Sequence, residues 1–321
     1  MTASFVSSAQ TKDVKMVPSG RNAEKLVTVE RLQETIEYLT DTTFGGRALG
    51  SKGATEAAFW IGRSFKNAGL MPISGKYVQS FQVGDLTGHN IMGFMPGTRS
   101  ARNETYVIVC AHYDSYGVLG GKILPGADSN ASGVVAMTNI MDMLKYMKEL
   151  GRVYGSNIIF LATDGKEKNA AGAEAFVAKL NEGGFIDPIN QKPIEARQIK
   201  NTVVLDILGA TLEPIHKGRK DYLIMLGAAG DRYDLTSVNS RDDLSLDLGF
   251  DYYGSKWGTD MFRYKVGDQR VFTQNGMPCT LMTSGITRET TNKPEDDWES
   301  LNYEVFRKRV ILIFHWLTKI L

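Results

Sequence analysis

The chain has 321 residues, 42% of them hydrophobic, with 37 Lys and Arg set against 36 Asp and Glu. That length and apolar content suffice to bury a full α/β core. A net charge of +1 gives no electrostatic grounds for nucleic acid or an anionic membrane as a partner. No stretch reaches the roughly 18 apolar residues of a membrane span, and the opening MTASFVSSAQTKDVK lacks the charged and apolar regions of a secretion signal.

Residues 1–25 are polar and aperiodic, and are expected to form a loosely ordered arm ahead of a single domain over 26–321. From Glu30, the apolar positions Leu32, Ile36 and Leu39 recur at helical spacing. After the loop TTFGGRALGSKG, a second helix carries Ala58, Ile61 and Phe65 on one face and ends at Gly69. The short apolar runs HNIMGFM, YVIVCAH, NIIFLAT, TVVLDIL, YLIMLGA and PCTLMTS read as strands. A long helical pattern through Val135, Ile140, Leu144 and Met147 separates the second run from the third. Another, through Phe176 and Leu180, follows the third, and a last one runs from about Asn302 to Leu321. Strands alternating with helices predict an α/β fold with a largely parallel sheet covered on both faces. The polar stretch from Asp231 to Lys265 reads as an excursion beside the site. Cys110 and Cys279, each in an apolar run, read as free core thiols.

In open α/β sheets, function gathers at the carboxyl ends of strands. YVIVCAHYD ends in His112 and Asp114, and PGADSNASG carries Asp128 just before a helix. NIIFLATDGKE ends in Asp164, Lys166 and Glu167, and TVVLDILG carries Asp206. One His, two Asp and one Glu are N and O donors suited to zinc. Asp114, two residues after His112, is placed to accept the free ring N–H and fix its tautomer. Any one strand-end Asp is commonly a helix cap or loop residue, so the weight rests on the set.

The order His112-Tyr113-Asp114, Gly126-Ala127-Asp128-Ser129-Asn130-Ala131-Ser132-Gly133, Asp164-Gly165-Lys166-Glu167 with Gly172, and then Asp206 resembles the M28 family of metallopeptidases. So does the earlier GGRALGSKG, and the resemblance runs from about Glu30 to the C-terminus. It implies a three-layer α/β/α sandwich with a mixed, mostly parallel central sheet, an aminopeptidase-type hydrolase, and an extracytoplasmic (periplasmic or secreted) location. It also implies a two-zinc site. His112 and Asp206 would serve one metal, Glu167 the other, and Asp128 would bridge them. In the family the metals polarise the substrate carbonyl and activate water, and a free Glu takes the proton.

Three positions depart from that pattern. Lys166 stands where the general-base Glu belongs. Asn292, in TNKPEDD, stands at the final His, and Gln269, in Gly267-Asp268-Gln269, stands where the family often has His. The other histidines offer no substitute: His89 lies early, His216 sits in the basic turn IHKGRK, and His315 falls inside the last helix. An ammonium cannot deprotonate water, and it repels a nearby cation. Lys166 is therefore expected to pair with Glu167 or Asp128. The reading is a zinc-peptidase scaffold with a degenerate metal centre, holding one zinc or none, with catalysis weak or remodelled. The alternative is a non-catalytic pseudo-peptidase that binds peptides or small ligands in the former cleft. Glutaminyl cyclisation, which relatives of this fold perform with a single zinc, ranks last because it too uses the missing Glu and His.

Overall fold

The computed structural model describes residues 20–97, 104–211, 219–241, 244–286 and 289–321. His216 and most of the N-terminal arm lie outside the described residues. Within the arm, Gly20–Glu24 forms a short helix, α1.

The strands are β1 (Val78–Val83), β2 (Leu86–Met95), β3 (Tyr106–His112), β4 (Gly117–Leu119), β5 (Lys122–Leu124), β6 (Asn157–Thr163), β7 (Ile199–Leu205), β8 (Tyr222–Leu226), β9 (Asp247–Gly249) and β10 (Cys279–Thr283). Eight of them form one sheet in the order β1-β2-β6-β3-β7-β10-β8-β9, while β4 and β5 make a separate hairpin. The central strands β6, β3, β7 and β10 are parallel; β1, β2 and β8 join antiparallel.

The remaining helices are α2 (Val29–Leu39), α3 (Lys52–Asn67), α4 (Ser132–Glu149), α5 (Ala171–Asn181), α6 (Ala229–Arg241), α7 (Lys256–Tyr264), α8 (Gln269–Gln274) and α9 (Tyr303–Ile320). Two apolar clusters make the fold a three-layer α/β/α sandwich. Val107, Val109 and Ala111 of β3 pack with α2, α3, α4, α6 and α9, whereas Ile108 and Cys110 pack with α5 and α8. All seven β3 residues are buried. Burial on both faces is why the strand reads as an unbroken apolar run.

The anticipated strands and helices are present with small shifts at their ends. β1, β4, β5 and β9 were not anticipated. They are short or half-exposed, so no sustained apolar run marks them. The polar stretch 231–265 is more regular than an excursion. It holds most of α6, which packs on α9, the edge strand β9, and α7, which packs on α8. Cys110 and Cys279 are free and buried. Among the described residues no helix is long and apolar enough to cross a membrane.

Candidate functional site

Because β3, β6 and β7 are parallel neighbours, the segments that follow them emerge at one edge of the sheet. This brings His112, the turn Asp164–Glu167 and Asp206 together. His112 is 2% exposed. Its Nε2 lies 3.2 Å from Asp206 Oδ1, and its Nδ1 lies 3.1 Å from the Asp114 carbonyl and 3.3 Å from Asp114 Oδ1. The Asp114 carboxylate, fully buried, accepts the backbone N–H of Lys166 on one oxygen and of Glu167 on the other, both at 3.0 Å. It thus ties the histidine to the turn carrying the next two site residues.

Lys166 and Glu167 form an ion pair, with Nζ 2.8 Å from Oε1 and side chains only 11% and 10% exposed. Burial opposes the charge on Lys166, but Asp206, Glu167 and Asp114 outweigh it and hold the ammonium above its usual range. Asp206 responds in kind: burial would raise it, while Lys166 and His112 bring it below the usual carboxylate range. At His112, burial and Lys166 oppose protonation, yet the hydrogen bonds to Asp114 and Asp206 push it up to about 10. Tyr116 stands at the rim, where burial and the Glu167 carboxylate push its hydroxyl up.

The GADSNASG turn serves the architecture. Asn130 donates to the carbonyls of His112 and Leu205 at 3.3 and 2.9 Å and accepts from Gly133 and Ile207 N–H, both at 3.0 Å. It clamps the ends of β3 and β7 to the start of α4. Gly133 is required there, since a Cβ would fall 2.3 Å from the Leu205 carbonyl oxygen. The Asp128 Oδ1 accepts Gly209 N–H at 2.7 Å, Ala210 N–H at 3.1 Å and the Ser132 hydroxyl at 3.3 Å. The loop after β7 thus holds one oxygen of the carboxylate expected to bridge two metals, while its Oδ2 is buried without a hydrogen-bond partner among the described residues. The side chain of this turn that reaches Asn292 is Ser129, whose hydroxyl donates to Asn292 Oδ1 at 3.2 Å.

Beneath the turn lies Asp296, fully buried, accepting Asp128 N–H at 2.6 Å and Ser129 N–H at 3.2 Å. Burial pushes both Asp128 and Asp296 upward, and Asp128 adds to the rise at Asp296. Arg47, 1% exposed, donates to the carbonyls of Tyr113, Leu39, Pro125 and Gly126, so the GGRALGSKG loop anchors the segments after β3. Gln269 is directed elsewhere: its amide donates to the carbonyls of Phe262 and Val266 near the end of α7. Its neighbour Asp268 is buried and accepts the Thr163 hydroxyl, and burial pushes its carboxyl up to about 6. His315 is buried against Glu24, with Nε2 2.7 Å from Oε1. Ser129, Asp268, Asp296 and Arg47 went unselected in the sequence. All four lie within the motifs given above, but a polar residue in a loop carries no mark of burial.

These donors do not fit a pair of zinc ions. The Lys166 ammonium is paired with Glu167 and acts electrostatically on Asp206, and Asn292 and Ser129 supply an amide and a hydroxyl. Among the described residues no three His, Cys, Asp or Glu side chains converge to hold a metal.

Peptidase family M28 matches residues 90–317, more than half of the chain. The alkaline phosphatase isozyme conversion protein of Escherichia coli (strain K12) is 26% identical over 155 residues, 44% of this chain and 44% of that protein, so the match spans under half of that relative. The LapA aminopeptidase of Legionella pneumophila superposes with a TM-score of 0.70 at 14% identity, covering 96% of this chain and 76% of that one. The zinc aminopeptidase BSAP of Bacillus subtilis gives 0.65 at 14%, covering 91% and 95%. A glutaminyl cyclase of Fimbriiglobus ruber gives 0.68 at 17%, covering 92% and 95%. At these identities the likeness is one of fold.

Proposed function

Since this chain belongs to peptidase family M28, we propose that it keeps the aminopeptidase scaffold while the Lys166 ammonium takes the place of a catalytic cation. Metal-dependent peptide hydrolysis is then weak or lost, and the cleft binds a peptide or small ligand. The observation that carries this is the buried ion pair of Lys166 with Glu167, facing Asp206. A unit charge about 4 Å from a divalent ion would repel it by about 8 kcal/mol at an effective dielectric of about 20. The neighbouring carboxylates are already neutralised in part by the protein itself. The departure at Asn292 points the same way, because its side-chain oxygen accepts the Ser129 hydroxyl and neither side chain carries charge.

Zinc content and hydrolysis of an aminoacyl chromophore, measured together, test this reading. The native chain should hold at most one zinc and stay near the background rate with added zinc. The variant Lys166→Glu with Asn292→His and Ser129→Asp should gain both metal and turnover. A native chain that binds zinc in tight pairs, or that hydrolyses at ordinary aminopeptidase rates, overturns it.

A further inference from the structure

The two edges of the main sheet are protected very differently. β9, at one edge, is three residues long and begins with Asp247. β1, at the other, has six residues, VQSFQV, without a charge or a proline, and pairs with β2 without a register shift. Long, flat, uncharged edges invite another strand, and proteins ordinarily blunt them with Lys, Pro or a bulge.

The Tyr77 carbonyl accepts from Met92 N–H, which faces Tyr77 toward β2. By the alternation of antiparallel pairs, the N–H and C=O groups of Val78, Ser80 and Gln82 then face outward. Among the described residues no backbone hydrogen bond reaches them. Alongside runs a mainly apolar groove of about 560 Å³ between α3 and the β1–β2 hairpin, with Phe59, Val78 and Ile91 in its walls and Arg63, Lys66 and His89 also lining it. Phe59 is 62% exposed and Val78 43%.

We propose that this edge is a dimer interface, with β1 of a second copy adding antiparallel to β1 so that the two sheets become continuous. The strand is self-complementary for such pairing. A two-fold axis at Ser80 sets Ser80 opposite Ser80 and Val78 opposite Gln82, so every outward donor meets an outward acceptor. Opposite residues share a face, so Val78 and Gln82 of the second copy fall on the side of the groove. The ends are complementary in charge. Lys76 lies opposite Gly84 of the second copy, one residue from its Asp85, and both Lys76 and Asp85 are exposed. Each dimer thus gains two such Lys–Asp pairs.

Sedimentation equilibrium of the full chain at about 50 μM should give a dimer that dissociates on dilution. Ser80→Pro removes an outward N–H that takes no part in pairing with β2, at the cost of the exposed hydrogen bond between the Ser80 hydroxyl and His89, and should weaken the dimer by about tenfold or more. Lys76→Asp should weaken it several-fold, and adding Asp85→Lys should restore it. Circular dichroism confirms that each variant is folded. A native chain that stays monomeric at that concentration overturns the proposal. So does a dimer that Ser80→Pro leaves unchanged, or one in which the charge swap fails to restore what Lys76→Asp lost.

Discussion

Replacing Lys166 by alanine would leave Glu167 and Asp206 facing one another's charge in a site where the Lys166 and Glu167 side chains are nearly enclosed. Breaking a buried pair by removing one partner costs about 3 kcal/mol. Lys166→Ala should therefore lower unfolding stability by about that amount in a urea titration at neutral pH. With the ammonium gone, added zinc should raise the variant's thermal midpoint more than the native one; equal shifts would show that Lys166 does not compete with a cation. The identities of His112, Lys166 and Asn292 were legible as residues of interest from their motifs alone. The contacts of Asp128 were not, because the Gly209 and Ala210 N–H groups that hold its Oδ1 lie some eighty residues away in the chain. Nor could spacing reveal that Gln269 turns to α7.

At the scale of elements, the start of α4 is the joint on which the site depends. Alanine is the better helix former by about 1 kcal/mol, so Gly133→Ala would be stabilising if space allowed. Its Cβ would fall 2.3 Å from the Leu205 carbonyl oxygen and 2.4 Å from Asn130 Nδ2, the atoms that join β7 to the turn. The expected outcome is a loss of about 2 kcal/mol or more from overpacking, read by chemical denaturation. A neutral or stabilising result would mean that α4 shifts freely. Strands buried on both faces, such as β3 and β6, were legible because their apolar runs are unbroken. β1 was hidden because only Gln79 of its six residues is buried. The stretch 231–265 was hidden because α6 and α7 meet the core along narrow faces.

Across the whole molecule, the buried acids determine how stability follows pH. Burial raises Asp128, Asp296, Asp164 (to about 7) and Asp268 (to about 6). Each is favoured protonated in the fold, so stability falls as pH rises from the ordinary carboxyl range near 4 through those values. His112, raised to about 10, contributes stability that is complete below about 6.5 and is lost as pH climbs toward its folded value. Asp114 and Asp206, held low, contribute above about 4 and lose their contribution on acidification. The metal-free chain should therefore melt at a higher temperature near pH 5 than near pH 8, and the reverse order would refute this balance of charges. The sequence by itself determined the layered α/β architecture, the family and the strand ends at which polar residues gather, since periodicity and local motif carry that information along the chain. Only the tertiary structure decided which carboxylates act on Lys166, which of them accept backbone amides, and which edge of the sheet stands open. Those depend on packing between segments far apart in sequence, where burial and charge act through space.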